Sequence, residues 1–489
     1  MYVFHLTVFT TGAVIMVLEI VGSRVVAPYV GTSLPVWTSI IGIILASLSI
    51  GYFLGGRLAD QKPNIKPLVG IIMASGISIA IIPMLQFALL PVLSVISKDI
   101  RINALVATTL LFTAPSILLG MVSPYVIRLK LNQLKKTGST TGELYALSTI
   151  GSILGTFLAG FVLLAYFSSD QILFLLSGSL LLLTFIIITK ERIHAKFILL
   201  LVFIFILSNI LISLNFSLKN YNIKEFDSQY NKILIYDSVD EKTKKNIRVM
   251  RINTEIHSAM FLDSDGLVFD YTKFYRLAKH FNPKIKSALM LGGGAYSYPK
   301  DFLKQFPKAS INVVEIDPKV TELARQYFSL KDNPRLSIYH EDGRTYINNA
   351  KGEYDVIFND AFNSFFSIPF QLSTKEAILK MHSILSKDGI IMSNIISALQ
   401  GEKSLFLNAE LATYRSTFPY VYVFATKPNS PSEVQNVVLV AMRDKPKSFE
   451  SSDKELSLYL KNKVDLNFPK IRILTDDFAP VDQYIMKLL

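Results

Sequence analysis

Residues 289–299 read LMLGGGAYSYP: an apolar run stops in three glycines, and Ala295, Tyr296 and Ser297 follow. A buried strand that ends in glycines lets backbone approach a ligand closely at the carboxyl edge of a sheet. Working outward, SINVVEID (310–317), LSIYHED (336–342), YDVIFND (354–360) and GIIMSNI (389–395) read as further strands, with helical runs such as PKVTELARQYF (318–328) between them. Such alternation predicts a parallel sheet with helices on both faces. YVYVFATK (420–427) and NVVLVAMRD (436–444) predict a closing β pair.

The ends of these strands carry polar residues in sheet order. Gly292, Gly293 and Gly294 close the first strand. Glu315, roughly 20 residues on, closes the second and can accept both hydroxyls of a ribose. Asp342, in EDGR (341–344), can accept from an adenine amino group, and Asp360 closes the fourth strand. Together they predict a nucleoside pocket along one edge of the sheet. The loop lacks the third glycine of GxGxxG, which argues against an NAD-type dehydrogenase. Upstream, from 217 to about 270, KILIYDSV, KNIRVMRI and HSAMFLD alternate with period two and predict a small antiparallel β unit.

The first half differs in kind. The chain has 489 residues, 51% hydrophobic and 18% charged, and the apolar excess sits before about residue 216. Stretches near 3–22, 36–57, 67–96, 104–127, 144–167, 171–189 and 197–215 are each about long enough to cross a bilayer, giving about seven helices. The third contains Pro83 and Pro91 and reads as one kinked helix or a helix with a re-entrant piece. Glu19 and Arg24 predict an ion pair or a functional site, because a carboxylate in lipid is costly alone. Gly151, Gly155 and Gly160, and the small residues of GYFLGGRLAD (51–60), suit tight helix packing. The formal charge is +12, but the basic clusters flank apolar stretches, so they read as topology signals and not as a nucleic-acid site. The chain has no cysteine, which excludes disulfides and thiolate metal sites.

The organisation predicted is an integral membrane domain (1–216), a small antiparallel β unit (217–275) and a Rossmann-like nucleoside-binding catalytic domain (276–489). The protein is expected in the cell membrane as a multi-pass protein, with the lipid bilayer as a partner. Lys and Arg concentrate in the even-numbered loops, which places the N-terminus inside and, with seven helices, the soluble domain outside. An extra crossing within 67–96 would change that parity, so the face of that domain stays open.

DSQYNKI, LGGGAYSYP, VVEIDP, EDGR and YDVIFNDAF together resemble the spermidine synthase family of aminopropyltransferases over about 225–445. With LEIVGSRVVAPYVGTSLPVW (18–37), the chain looks most like its membrane-fused bacterial members. The resemblance implies S-adenosylmethionine or its decarboxylated form as co-substrate, no metal, and a homo-oligomer. By position it places Gly292, Gly293, Gly294, Ala295 and Tyr296 at the methionine part, Glu315 at the ribose, and Asp342 with Gly343 at the adenine. Gln229, Tyr230 and His257 fall where the family's β unit meets the nucleoside and sulfur, and Asp360 matches the base. An attacking amine is protonated at neutral pH, with a pKa of about 10, so it needs a carboxylate to take its proton.

Three departures bear on the substrate. The family's loop runs GGGDGG, and its Asp holds the amine of the aminopropyl group; here it is Ala295. Two like charges about 4 Å apart cost on the order of 1–4 kcal/mol, so Ala295 predicts acceptance of the carboxylate of intact S-adenosylmethionine, through backbone N–H groups. A second family Asp is Asn363 here, and the acceptor motif Tyr-His/Gln-Glu reads Tyr271-Thr272-Lys273, where a Lys would repel a polyamine. Three functions follow: transfer of an alkyl group to an amine with release of methylthioadenosine; cyclisation or lysis of intact S-adenosylmethionine with no external amine; or a transporter or sensor that binds the nucleoside.

Overall fold

The computed structural model describes residues 2–31, 33–96, 99–131, 137–191, 223–253, 255–361, 368–466 and 471–488. The chain forms two compact units, residues 1–232 and 233–489.

The first unit is helical: α1 (Tyr2–Val30), α2 (Leu34–Gln61), α3 (Ile65–Ile96), α4 (Ile100–Lys130), α5 (Thr137–Leu158) and α6 (Ser169–Lys190). Among the described residues six helices are long and apolar enough to cross a membrane. Hydroxyls within them turn back on their own helix, as Thr11 Oγ1 does to the Thr7 carbonyl, which satisfies the donor without a partner outside the helix. The third apolar stretch forms one helix without a re-entrant piece, and the expected seventh stretch, 197–215, lies outside the described residues. Close packing is built on small residues: a Cβ on Gly151 would sit 2.1 Å from the Phe9 carbonyl, and one on Gly155 2.5 Å from that of Ala13. Gly160 departs from the expectation, since a Cβ there would meet nothing within 4 Å. The Arg24 guanidinium donates to the backbone carbonyls of Ser228 and Gln229, both at 2.6 Å.

The second unit opens on an antiparallel meander. Strand β2 (Lys232–Val239), which follows the short β1 (Lys224–Asp227), pairs with β3 (Asn246–Ile252), and β3 pairs with β4 (Glu255–Phe261). A helical segment, α7 (Asp270–Phe274) continued to Phe281, leads into the main sheet. Its strands are β5 (Ser287–Leu291), β6 (Ser310–Val314), β7 (Leu336–Tyr339), β8 (Tyr354–Asn359), β9 (Leu385–Ser397), β10 (Tyr420–Ala425), β11 (Gln435–Met442) and β12 (Lys463–Val464). Their spatial order is β12-β10-β11-β9-β8-β5-β6-β7. The five from β9 to β7 are parallel, and β10 and β11 are antiparallel, as the closing pair required.

The apolar runs bury both faces of this sheet, as parallel strands do. Leu289, Leu291 and Ile357 pack into the core on one face; Met290, Val356 and Phe358 pack into the core on the other. The helices α8 (Ser297–Gln305), α9 (Pro318–Tyr327), α10 (Gly343–Asn349), α11 (Lys375–Ser383) and α12 (Leu405–Arg415) complete the layers. Strand order reverses between β5 and β8, and the crevice at such a point is where open α/β sheets bind ligands.

Candidate active site

The glycine loop leaves β5 at that crevice. Gly292 has φ +91°, and a Cβ there would lie 2.4 Å from the carbonyl oxygen of Asp360, so only glycine lets the two chain segments touch. Gly294 has φ +49°, and a Cβ there would lie 2.6 Å from Ser258 Oγ. The loop ends in Tyr296, a non-glycine residue at φ +58°. Its ring is fully buried beneath Gly293, and its hydroxyl bonds Thr321 Oγ1 at 2.7 Å.

The backbone donors of the loop all have acceptors. The Gly292 N–H donates to the Val314 carbonyl (2.9 Å), those of Gly293 and Gly294 to Glu315 Oε2 (2.9 and 3.2 Å), that of Ala295 to Ser258 Oγ (2.9 Å) and that of Tyr296 to the Gly293 carbonyl (2.9 Å). This corrects the expectation that the loop offers free N–H groups to a carboxylate of intact S-adenosylmethionine: such a ligand would have to displace Glu315 or Ser258.

Glu315 is buried, 9% exposed, and also accepts from the Asp317 N–H at 3.0 Å. Burial raises its carboxyl above the usual range, while these backbone donors pull it back down. Three of the four lone-pair positions of the carboxylate are used, and one on Oε1 is left. Asp342 caps α10, with Oδ1 accepting from the Thr345 N–H at 2.9 Å. Gly343 starts that helix against Leu372, 3.3 Å from where its Cβ would be.

Asp360 lies just beyond β8, partly buried. Its Oδ2 accepts from the Tyr271 hydroxyl (3.2 Å) and its Oδ1 from Asn394 Nδ2 (3.0 Å). Asn394 is held in turn by Asn436, whose amide donates to its Oδ1 at 3.0 Å. Tyr275 completes the enclosure, its ring edge-on to Tyr271 with centroids 5.9 Å apart. Its buried hydroxyl has no hydrogen bond among the described residues, and burial and the Asp360 charge hold both phenols well above the usual range. Burial pushes the Asp360 carboxyl from its ordinary 3.8 up to about 7, and the amide and phenol donors work against that rise. A carboxylate poised there can exchange a proton near neutrality.

The remaining sequence-predicted residues fall as follows. His257 lies on β4, partly buried, with its carbonyl 3.9 Å from the position a Gly294 Cβ would take. Lys273 is paired with Asp270 at 2.9 Å, and Lys242 contacts the same carboxylate, so its charge is partly neutralised where it stands. Gln229 and Tyr230 belong to the first unit, where the Tyr230 N–H donates to Ser228 Oγ at 3.1 Å. Asn363 lies outside the described residues. The structure thus brings Gly292–Gly294, Glu315, Asp360 and Tyr271 together along one edge of the sheet.

Residues 269–447 match the spermine/spermidine synthase domain. Over its second half the chain is similar to the spermidine synthase-like family. Relatives of this family include the polyamine aminopropyltransferase of Vibrio vulnificus, 28% identical over 280 residues, which are 53% of this chain and 90% of that protein. A probable polyamine aminopropyl transferase of Bifidobacterium longum is 31% identical over 217 residues, 40% of this chain and 48% of its own length. Among solved structures, a probable spermidine synthase from Corynebacterium glutamicum is similar at 24% identity and a TM-score of 0.42, covering 49% of this chain and 86% of that one.

Four residues at this spermidine synthase-like site escaped the reading of the sequence. Ser258 follows His257 in HSAMFLD, and period-two alternation alone puts the two on opposite faces. Asn394 and Asn436 interrupt the buried apolar runs IIMSNII and NVVLV, a pattern that asks for a polar partner. Tyr275 stands one helical turn after Tyr271.

Proposed function

We propose that the second unit transfers the aminopropyl group of decarboxylated S-adenosylmethionine to an amine and releases methylthioadenosine. The observation that carries this reading is Asp360: an enclosed carboxylate, raised toward neutrality, fixed by Tyr271 and Asn394, at the strand end that touches the glycine loop. The remaining acceptor position on Glu315 suits a ribose hydroxyl, and Asp342 Oδ2, which accepts from none of the described residues, suits an adenine amino group. In the reaction the amine nitrogen attacks the methylene next to the sulfonium. The new C–N bond forms as the C–S bond breaks, the electron pair leaves with methylthioadenosine, and Asp360 takes the proton of the attacking nitrogen. Catalysis then consists of position and proton removal.

The first unit is read as an integral membrane domain on the length and composition of its six apolar helices. His257 is assigned to the nucleoside side of the site, and Lys273 and Asn363 to its acceptor side.

The test is direct. Purified protein is incubated with intact or decarboxylated S-adenosylmethionine, with and without putrescine, and methylthioadenosine is measured. Release that needs both decarboxylated co-substrate and amine supports the proposal. Release from intact co-substrate alone would replace it with the cyclase or lyase reading that Ala295 motivates. Nucleoside binding without turnover would replace it with a transporter or sensor.

A further inference from the structure

A base must be ionised to take a proton, and the ionisation of Asp360 depends on which atom of Asn394 faces it. A carboxamide is nearly symmetric in shape. Turned over, it presents either an oxygen that only accepts or an NH2 that only donates. Packing alone does not select between the two. An ionised carboxylate needs the donor, whereas a protonated one can give its own proton to the oxygen. Here Asn394 Nδ2 faces Asp360 Oδ1 at 3.0 Å.

The selection is made one strand further out. Strands β9 and β11 pair with Asn394 opposite Val438 and Ile396 opposite Asn436. Asn394 and Asn436 are therefore diagonal neighbours on one face of the sheet. The Asn436 NH2 donates to Asn394 Oδ1 at 3.0 Å, which occupies that oxygen and leaves Nδ2 for Asp360. Asn394 is 6% exposed, so Asn436 supplies a donor that bulk water does not.

We infer that Asn436 is a positioning residue for Asp360: by holding Asn394 Oδ1 it keeps the Asn394 amide turned with its N–H toward the carboxylate, and so favours the ionised, proton-accepting form. That ionised Asp360 serves as a base rests on the aminopropyl-transfer reading; the coupling of the two amides to its ionisation does not. The titratable groups that face Asp360 from the other side are the phenols of Tyr271 and Tyr275. Glu315, across the glycine loop, is turned to the Gly293 and Gly294 N–H groups. Glu410 shares a small cavity with Asn394, and burial pushes its carboxyl up to about 8, so it is mostly neutral where Asp360 titrates.

The test uses the full chain in detergent. Asn436→Leu keeps the branching and removes the donor; Asn394→Leu removes the contact to Asp360 itself. Ionisation of Asp360 is read by carbon-13 NMR of carboxyl-labelled aspartate, assigned with Asp360→Asn, and by the acidic limb of methylthioadenosine release. In Asn436→Leu both midpoints are expected to move up by roughly half to one pH unit, a roughly threefold to tenfold lower rate at pH 5.5. In Asn394→Leu they move at least as far, and adding Asn436→Leu to it moves them no further, because the outer amide acts only through the inner one. Asn436→Asp keeps the shape but offers only acceptors to Asn394; it should move the midpoints at least as far as Asn436→Leu, and replaces that variant if it does not fold. An unmoved midpoint in either Asn436 variant overturns the assignment. So does a shift by Asn436→Leu that persists undiminished in the Asn394→Leu background. If wild-type protein releases no methylthioadenosine yet the NMR midpoint moves as stated, the transfer reading fails and the positioning role holds.

Discussion

Replacing Asp360 by Asn separates the chemical task proposed for this carboxylate from its structural penalty. Asn preserves the shape: its single carboxamide oxygen can accept from Asn394, and its NH2 can donate to the Tyr271 hydroxyl, which turns to accept. The wild-type carboxyl titrates at about 7 in the folded chain and at its ordinary 3.8 when unfolded. Between those values the folded state binds the extra proton, so folding stability falls as pH rises from about 4 to about 7, and the full penalty applies above 7. The gap corresponds to roughly 4 kcal/mol, an upper bound because solvent still reaches part of the residue. Asp360→Asn should therefore make the full-length protein more stable than wild type at pH 8, by up to about 4 kcal/mol, with the difference shrinking below about 1 kcal/mol at pH 4. Methylthioadenosine release should fall by about 10²–10⁴-fold in the same variant. Denaturant unfolding of both proteins at pH 4, 6 and 8, together with initial rates, reads both effects. A variant that is less stable at pH 8, or that keeps a tenth or more of the rate, would refute the assignment of Asp360 as an electrostatically strained base.

Wild-type kcat should rise with pH along an acidic limb centred near 7, and Tyr271→Phe, which removes a donor to the ionised carboxylate, should move that limb to higher pH; a limb that stays in place would show that Tyr271 serves the substrate alone. Gly292→Ala drives a Cβ into the Asp360 carbonyl at a φ of +91°, and should cost more than about 1 kcal/mol in denaturant unfolding while lowering kcat. Ser258→Ala leaves the Ala295 N–H without its acceptor, and should cost about 1–3 kcal/mol and weaken nucleoside binding measured by calorimetry.

The succession of strands and helices and the residues at the strand ends were legible because both follow from local signals: period, glycines, and acids at the ends of apolar runs. That is how Gly292, Glu315, Asp342 and Asp360 could be placed on one edge from the amino-acid order alone. What the sequence hid was pairing across the fold. The glycine loop looked like a set of unoccupied donors, but Glu315, 22 residues after Gly293, folds back and takes two of them. Lys273 looked like a repelling charge until Asp270 stood beside it. Ser258 and Asn394 carry no motif; they matter because β4 and β9 bring them to the loop and the base. Gly160 was misread for the same reason, since helix contacts depend on which faces meet and not on spacing alone.

The contact between Gly292 and the Asp360 carbonyl has a consequence for how such a protein could change. Donor pocket and base are fastened backbone to backbone at 2.4 Å of would-be side-chain clearance, so neither can shift without the other. On the proposed chemistry, new acceptor preferences would then have to be written away from this seam, leaving the sulfonium end as a fixed cartridge.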